Sequence, residues 1–268
     1  MDILGVRVDD VTYNVALQRC VAYAAGGGRH LVVTPNPEFV VLARRHPAFR
    51  AVLAGADLSI PDGGGLLLAA RLWGTPLQEQ VRGTDLCYGL AGAAPAHGLR
   101  LFLLGGAPGV AGEAAARLRQ RFPGLQIAGT FAGDGSPAGD AETVAAVRRA
   151  GRCDLLFVAY GAPRQEYWIA RNLSALDVGM AIGVGGVLDF MSGRVRRAPP
   201  FVRRTGLDWL FRLVQQPRRL RRQATTIVPF VLLALSEAAR RRALARGPLT
   251  PGPRSQAGRR ELAPRKRT

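Results

Sequence analysis

Five short segments bring polar side chains together with glycines or prolines. Asp62 stands in Ile60-Pro61-Asp62-Gly63-Gly64-Gly65, directly after a short β-prone run. Three consecutive glycines let a backbone approach a ligand closely, and a carboxylate at a strand end can act as general base toward a sugar hydroxyl. An aspartate ahead of a helix is equally a favoured N-cap, so the residue types leave both roles open. Thr34 and Asn36, in Thr34-Pro35-Asn36-Pro37-Glu38, follow an earlier apolar run and offer groups for sugar or phosphate, although Asn-Pro is also an ordinary turn signal. Gly105-Gly106-Ala107-Pro108-Gly109 can present amides to a diphosphate. It lacks the lysine of a P-loop and the full GxGxxG spacing, and a tight strand-to-helix turn is the plainer reading. Gly161-Ala162-Pro163-Arg164-Gln165-Glu166 places Arg164 and Gln165 near a helix start, suited to a nucleotide base or phosphate. Glu166 there also complements the helix dipole. Gly183-Val184-Gly185-Gly186, ahead of Asp189-Phe190, gives one more close backbone approach.

Positioning these segments requires strands that end where they begin. Leu31 to Val33, Asp57 to Ile60, Leu101 to Leu104, Gln126 to Gly129, Asp154 to Ala159 and Val178 to Val184 have the composition and bounding turns of short strands. Between them, Phe39 to Leu53, Leu66 to Leu72, Thr84 to Ala94, Val110 to Phe122, Ala141 to Arg149 and Glu166 to Asn172 have helical spacing. Strands alternating with helices predict a Rossmann-like α/β core with a parallel, doubly wound sheet, whose ligands sit in loops beyond the strands' carboxyl ends. All five polar segments fall on such loops.

Charge divides the chain. Residues 1–190 carry 17 Lys+Arg against 16 Asp+Glu, whereas residues 191–268 carry 20 against 3. The expected organisation is a core over 1–193, a basic helical appendage over 194–246 and a disordered Pro/Gly/Arg tail over 247–268. Within the appendage, 194–222 reads as a hinge and a helix, and Ala224 to Arg246 as a second helix. Arginines interleaved with apolar residues call for a phosphate-bearing partner, whether lipid headgroup, diphosphate or nucleic acid. The apolar run Ile227 to Leu235 is too short to span a bilayer. Flanked by Arg218 to Arg222 and Arg240 to Arg242, it suits a helix lying in an anionic headgroup layer or one packed on the core. The acidic N-terminus does not read as a secretory signal. The scattered Cys20, Cys87, Cys153 and His30, His46, His97 suggest no disulfide framework and no metal site.

Taken in order, several longer stretches resemble the WecG/TagA/CpsF glycosyltransferases (glycosyltransferase family 26). They are TPNPE at 34–38, IPDGGG at 60–65, GTDL at 83–86, LFLLGGAPGVA at 101–111 and GAPRQEYWI at 161–169. GVGGVLDFMSGRVRRAP at 183–199 and GLDWLFRLVQQPRRLRR at 206–222 complete the set. The resemblance implies inverting transfer from a UDP-sugar to a sugar on a polyprenyl-diphosphate lipid, with no metal and no other cofactor, in cell-surface polysaccharide synthesis. It implies Asp62 as the base and Thr34, Asn36, Arg82 and Gln165 as substrate contacts. Gly105, Gly106, Gly161, Gly185 and Gly186 become nucleotide-loop glycines, and Arg212, Arg219 and Arg222 reach back to a diphosphate. The expected location is cytoplasmic, on the inner face of the cell membrane, with no nucleic-acid partner; assembly into a homo-oligomer stays open. Two departures stand out: Gln80 replaces an arginine usual in the family, for which Arg82 can compensate, and Phe131-Ala132-Gly133-Asp134-Gly135 replaces a His-Gly-Tyr-Phe type segment. A basic nucleic-acid-binding protein lacks its recognition motifs here. A Rossmann-type oxidoreductase lacks its glycine fingerprint and distal acid.

Overall fold

The computed structural model describes residues 1–199, 211 and 219–245, with backbone alone at 219–224 and 245. Six parallel strands form its centre: β3 (His30–Val33), β4 (Leu58–Ser59), β5 (Arg100–Gly105), β6 (Gln126–Phe131), β7 (Cys153–Ala159) and β8 (Val178–Gly183), in the order β4-β3-β8-β7-β5-β6. Pairing such as Leu31↔Ala181 and Leu156↔Ala181 fixes the register at the centre. Successive side chains along these strands enter different cores. Leu31, Val33, Phe102, Leu104, Leu156 and Val158 belong to one buried cluster, while Val32, Leu101, Leu103, Leu155, Phe157 and Ile182 belong to the other. A sheet buried on both faces explains why its strands read as unbroken apolar runs.

On the first face pack α2 (Pro37–Arg45), α3 (Pro47–Ala54), α4 (Gly64–Leu72), α7 (Asp140–Arg149) and α8 (Arg164–Asn172). On the second lie α1 (Tyr13–Ala25), α5 (Gly83–Ala93), α6 (Val110–Arg121) and α9 (Val187–Met191). The stretch Phe39 to Leu53, expected as one helix, is two. His46 precedes Pro47, whose ring disfavours the α region for its neighbour, and His46 sits at φ −127°, ψ 94°. A hairpin of β1 (Asp2–Ile3) and β2 (Val6–Arg7) precedes the core and is tied to β4, Asp9 accepting the Ser59 N–H at 2.9 Å.

A last helix, α10 (Arg219–Ala245), runs through Pro229 and begins before the expected boundary at Ala224. Arg212 and the 247–268 tail lie outside the described residues, as does most of 194–222. Thr226, Phe230, Ala234 and Ala238 recur every fourth residue and are buried, which seats one face of α10 on α2 and α4. Phe230, Ala234 and Ala238 join the same cluster as Phe39, Leu66 and Trp73. The Trp73 indole N–H donates to the Ala234 carbonyl at 2.9 Å, and the Arg241 guanidinium lies 4.8 Å from the centre of the Trp73 ring. Val228, Val231, Leu232 and Leu235 remain exposed. No helix among the described residues is long and apolar enough to cross a membrane.

Candidate active site

The carboxyl ends of β4, β3, β8 and β7 lie side by side, and the segments following them converge, as expected for an open parallel sheet. They line a cavity of about 180 Å³ that includes Thr34, Asn36, Glu38, Asp62, Gly83, Gly161, Gln165, Gly185 and Gly186. The Asp62 N–H donates to the Pro35 carbonyl at 2.9 Å, holding the loops after β3 and β4 together.

Asp62 does not cap α4. That position belongs to Gly63, at φ 110°, with no side-chain cap bond. The Asp62 carboxylate instead lies over the start of α5, where a Cβ on Gly83 would stand 3.3 Å from Asp62 Oδ2 and 3.6 Å from Thr34 Oγ1. Hydroxyl and carboxylate therefore share one corner of the cavity, and only a glycine at 83 leaves that corner open. Asn36 serves the local fold and also reaches the cavity. Its Oδ1 caps α2 by accepting the Phe39 N–H at 3.1 Å, with Pro37 in the first turn, and the residue still lines the cavity.

Gln165 is almost wholly buried, at 3% exposure, and both ends of its amide are hydrogen-bonded. Oε1 accepts the N–H groups of Gly161 at 3.0 Å and Gly185 at 2.9 Å, while Nε2 donates to Glu166 Oε1 at 2.7 Å. One side chain thus joins the loop after β7 to the loop after β8. The amides of Gly161 and Gly185 are turned to Gln165, and Gly186 borders the same cavity. Gly105 and Gly106 stand elsewhere. The Gly106 N–H donates to Ala159 O at 3.1 Å, and a Cβ on Gly105 would meet the Ala159 carbonyl carbon at 2.8 Å. At φ 98°, Gly105 lets the end of β5 lie against the Ala159 backbone of β7 at the tight strand-to-helix turn before α6.

Arg82 lines another open cavity with Tyr13, Glu79, Gln80, Asp85 and Arg121, and Gln80 also lines the groove that Asp62 borders. The segment Phe131 to Gly135 flanks the β7 loop: a Cβ on Gly135 would meet the Tyr160 ring at 2.6 Å and Arg164 Cδ at 3.0 Å. Backbone positions of Arg219 and Arg222 are in α10, their side chains outside the description. Sequence reasoning missed Glu38, a second carboxylate in the cavity wall; an acid directly after a capping Asn-Pro at a strand end was its signal. It also missed Arg197, which pairs with Asp85 across 112 residues and so ties the segment after α9 to α5. Cys87 lines the floor, but burial, with Cys20 and Asp62 adding to it, pushes its thiol far up, leaving it neutral and a poor nucleophile.

A second and larger space adjoins the first. Asn36, Glu38 and Asp62 also border a groove of about 440 Å³ formed by Gly63 to Gly65, Leu68, Ala69, Leu72 and Gln80 on one side. Thr226, Ile227, Phe230, Val231, Ala234 and Leu235 of α10 form the other side.

A model of the glycosyl transferase WecG/TagA/CpsF family matches residues 1–244. Similar proteins include three named N-acetylglucosaminyldiphosphoundecaprenol N-acetyl-β-D-mannosaminyltransferase. That of Bacillus spizizenii is 39% identical over 191 residues, 71% of this chain and 73% of the relative. That of Bacillus subtilis is 31% identical over 207 residues, 77% of this chain and 79% of the relative. That of Staphylococcus aureus is 28% identical over 243 residues, 90% of this chain and 94% of the relative.

Proposed function

This chain belongs to the glycosyl transferase WecG/TagA/CpsF family, and on that premise we propose that it transfers an N-acetylmannosaminyl-type sugar from a UDP donor, with inversion and without a metal, to a sugar carried on a polyprenyl diphosphate. The observation that carries the reading is the wall shared by the two spaces. Asn36, Glu38 and Asp62 face a small cavity between glycine loops on one side and a groove with an apolar far end on the other. A donor nucleotide suits the first space, and an amphiphilic acceptor suits the second.

In the proposed step an acceptor hydroxyl gives its proton to the Asp62 carboxylate as its oxygen bonds to the anomeric carbon of the donor sugar. The bond from that carbon to the diphosphate breaks on the opposite face, and UDP leaves. A single base on the acceptor side suffices for such a displacement, provided positive charge meets the leaving diphosphate. The basic C-terminal segment, with Arg212, Arg219 and Arg222, is assigned that task, since a guanidinium pairs with phosphate oxygens two at a time. The appendage over 194–246 is also assigned to the membrane surface. The outward Val228 and Leu232 and the exposed arginines near the end of α10 support this placement on the face where the lipid acceptor is reached.

The test is UDP release in EDTA, with UDP-N-acetylmannosamine, its uronic acid and UDP-glucose offered in turn beside a short-chain lipid-diphosphate-linked N-acetylglucosamine. Release that needs one donor together with the acceptor is the expected result. A requirement for added metal would overturn the metal-free step, and failure of every donor with intact UDP binding would overturn the acceptor assignment.

A further inference from the structure

The groove beside Asp62 changes character along its length. At the inner end lie Asn36, Asp62, Gly63 to Gly65, Gln80 and Thr226; at the outer end lie Leu68, Leu72, Val231, Ala234 and Leu235. Two elements far apart in sequence build it, α4 and α10, and they are brought together at Gly65. A Cβ there would stand 2.7 Å from Pro37 Cγ and 3.5 Å from Phe230 Cε1, so the absent side chain lets α2, α4 and α10 meet at the groove's base. The Trp73 indole bond to the Ala234 carbonyl fixes the spacing of the two walls at the other end. Leu68 and Leu235 are nevertheless 68% and 53% exposed, so the outer end is an apolar trough left open to its surroundings.

We propose that this groove is a binding subsite for the polyprenyl chain of the acceptor, seating the first isoprene units against Leu68, Leu72, Val231 and Leu235 while the head sugar reaches Asp62. The proposal rests on the acceptor class argued above. The occupant follows from continuity. Among the described residues, a ligand whose reacting hydroxyl lies at Asp62 and whose far end is apolar meets this adjoining apolar path, which runs ~12 Å down α4 from Gly64 to Leu72. The volume lies within the range of pockets that hold small ligands, roughly 300–1,000 Å³. Chain recognition then belongs to the protein itself, separate from any attraction of α10 to a bilayer.

The test uses acceptors with one, two or three isoprene units in detergent- and lipid-free buffer, below their aggregation limits. KM is expected to fall about thirtyfold for each of the first added units, as half-burial of a five-carbon unit predicts. In a chain carrying both Leu68→Asn and Leu235→Asn the KM ratio between the one- and three-unit acceptors is expected to collapse to a few-fold. Leu244→Asn, on the same helix outside the groove and 69% exposed, should leave that ratio as in the parent. Transfer that proceeds with equal KM across the series would overturn the subsite, as would equal effects of the groove pair and Leu244→Asn. Should no acceptor react, calorimetry with farnesyl and dimethylallyl diphosphates separates the two readings. Tighter binding of the farnesyl compound, lost in the groove pair, would keep the subsite and sink the transfer reaction; no chain-length preference would sink the subsite as well.

Discussion

Replacing Gln165 by alanine distinguishes a side chain that holds loops from one that touches nucleotide. The substitution strips an acceptor from two loop amides, Gly161 and Gly185, and a donor from the buried Glu166 carboxylate. Each orphaned amide beside a cavity that water can enter costs at the low end of the usual penalty, about 1 kcal/mol. Loss of a hydrogen bond to a buried carboxylate costs about 2 kcal/mol. The expected destabilisation is therefore about 4 kcal/mol, visible as a lower urea midpoint with an unchanged slope. Gln165→Glu retains the acceptor for both amides but sets a second carboxylate against Glu166, so it should also destabilise and should recover as pH falls and one of the two takes up a proton. Isothermal calorimetry with UDP on folded Gln165→Ala should find a weakened site, because loops after β7 and β8 are no longer joined. Parent-like stability with UDP binding abolished would refute the reasoning and return Gln165 to direct nucleotide contact.

Asp62→Asn should lower kcat by at least about 10²-fold while UDP binding by calorimetry stays within a few-fold; turnover kept there but lost in Glu38→Gln would move the base to Glu38. Gly105→Ala forces a Cβ against the Ala159 backbone at a positive φ and should cost about 3 kcal/mol in urea unfolding without changing UDP affinity, since the turn packs strands; lost UDP binding at parent stability would restore a phosphate role. Val228→Asn with Leu232→Asn should reduce sedimentation with anionic vesicles, and undiminished binding would refute α10 as the contact. These substitutions are a cleaner probe than truncation, which would uncover the core that Phe230 and Ala234 close. Hydrogen bonds from Arg240 and then Arg241 hold the Glu237 carboxyl down at about 2. Its pairing therefore stabilises the end of α10 above the ordinary glutamate range and is lost as pH falls from about 4 toward 2. Thermal melts over that window should show a slightly steeper loss for the parent than for Glu237→Gln, the effect being small because surface pairs are screened.

The core was legible because its strands are buried on both faces: Leu101 to Leu104 and Asp154 to Ala159 announce themselves as apolar runs, and the polar loops follow at their ends. Helix α1 was not read, since its buried face is Ala16, Cys20 and Ala24, small residues that give little hydrophobic contrast. The break at His46 was available in Pro47 and was overridden by an otherwise even apolar period. At the candidate site, local sequence named Thr34, Asn36, Asp62 and Gln165, which the fold brings to one cavity, but not their partners. Whether Asp62 caps α4 depends on Gly63 taking the cap at positive φ and on Gly83, far along the chain, leaving room for the carboxylate. Gln165 looked like a ligand donor because nothing nearby in sequence shows that Gly185, twenty residues on, would claim its oxygen.

The same distinction explains why the groove could not be foreseen. Its walls come from Gly64–Leu72 and Arg219–Ala245, each amphipathic on its own and each explicable as an ordinary surface helix. A run of nine apolar residues containing a proline reads equally as a membrane-lying or a core-packed segment, and α10 divides the two tasks between its faces. Phe230, Ala234 and Ala238, four apart, enter the core, while Val231 and Leu235, one turn apart, are left lining the groove with Leu68. Three small features, Gly65, Pro37 and the Trp73 indole, set how closely the helices approach and hence whether a groove exists at all. Reach along the sequence, rather than residue type, separates what composition reveals here from what only the folded chain contains.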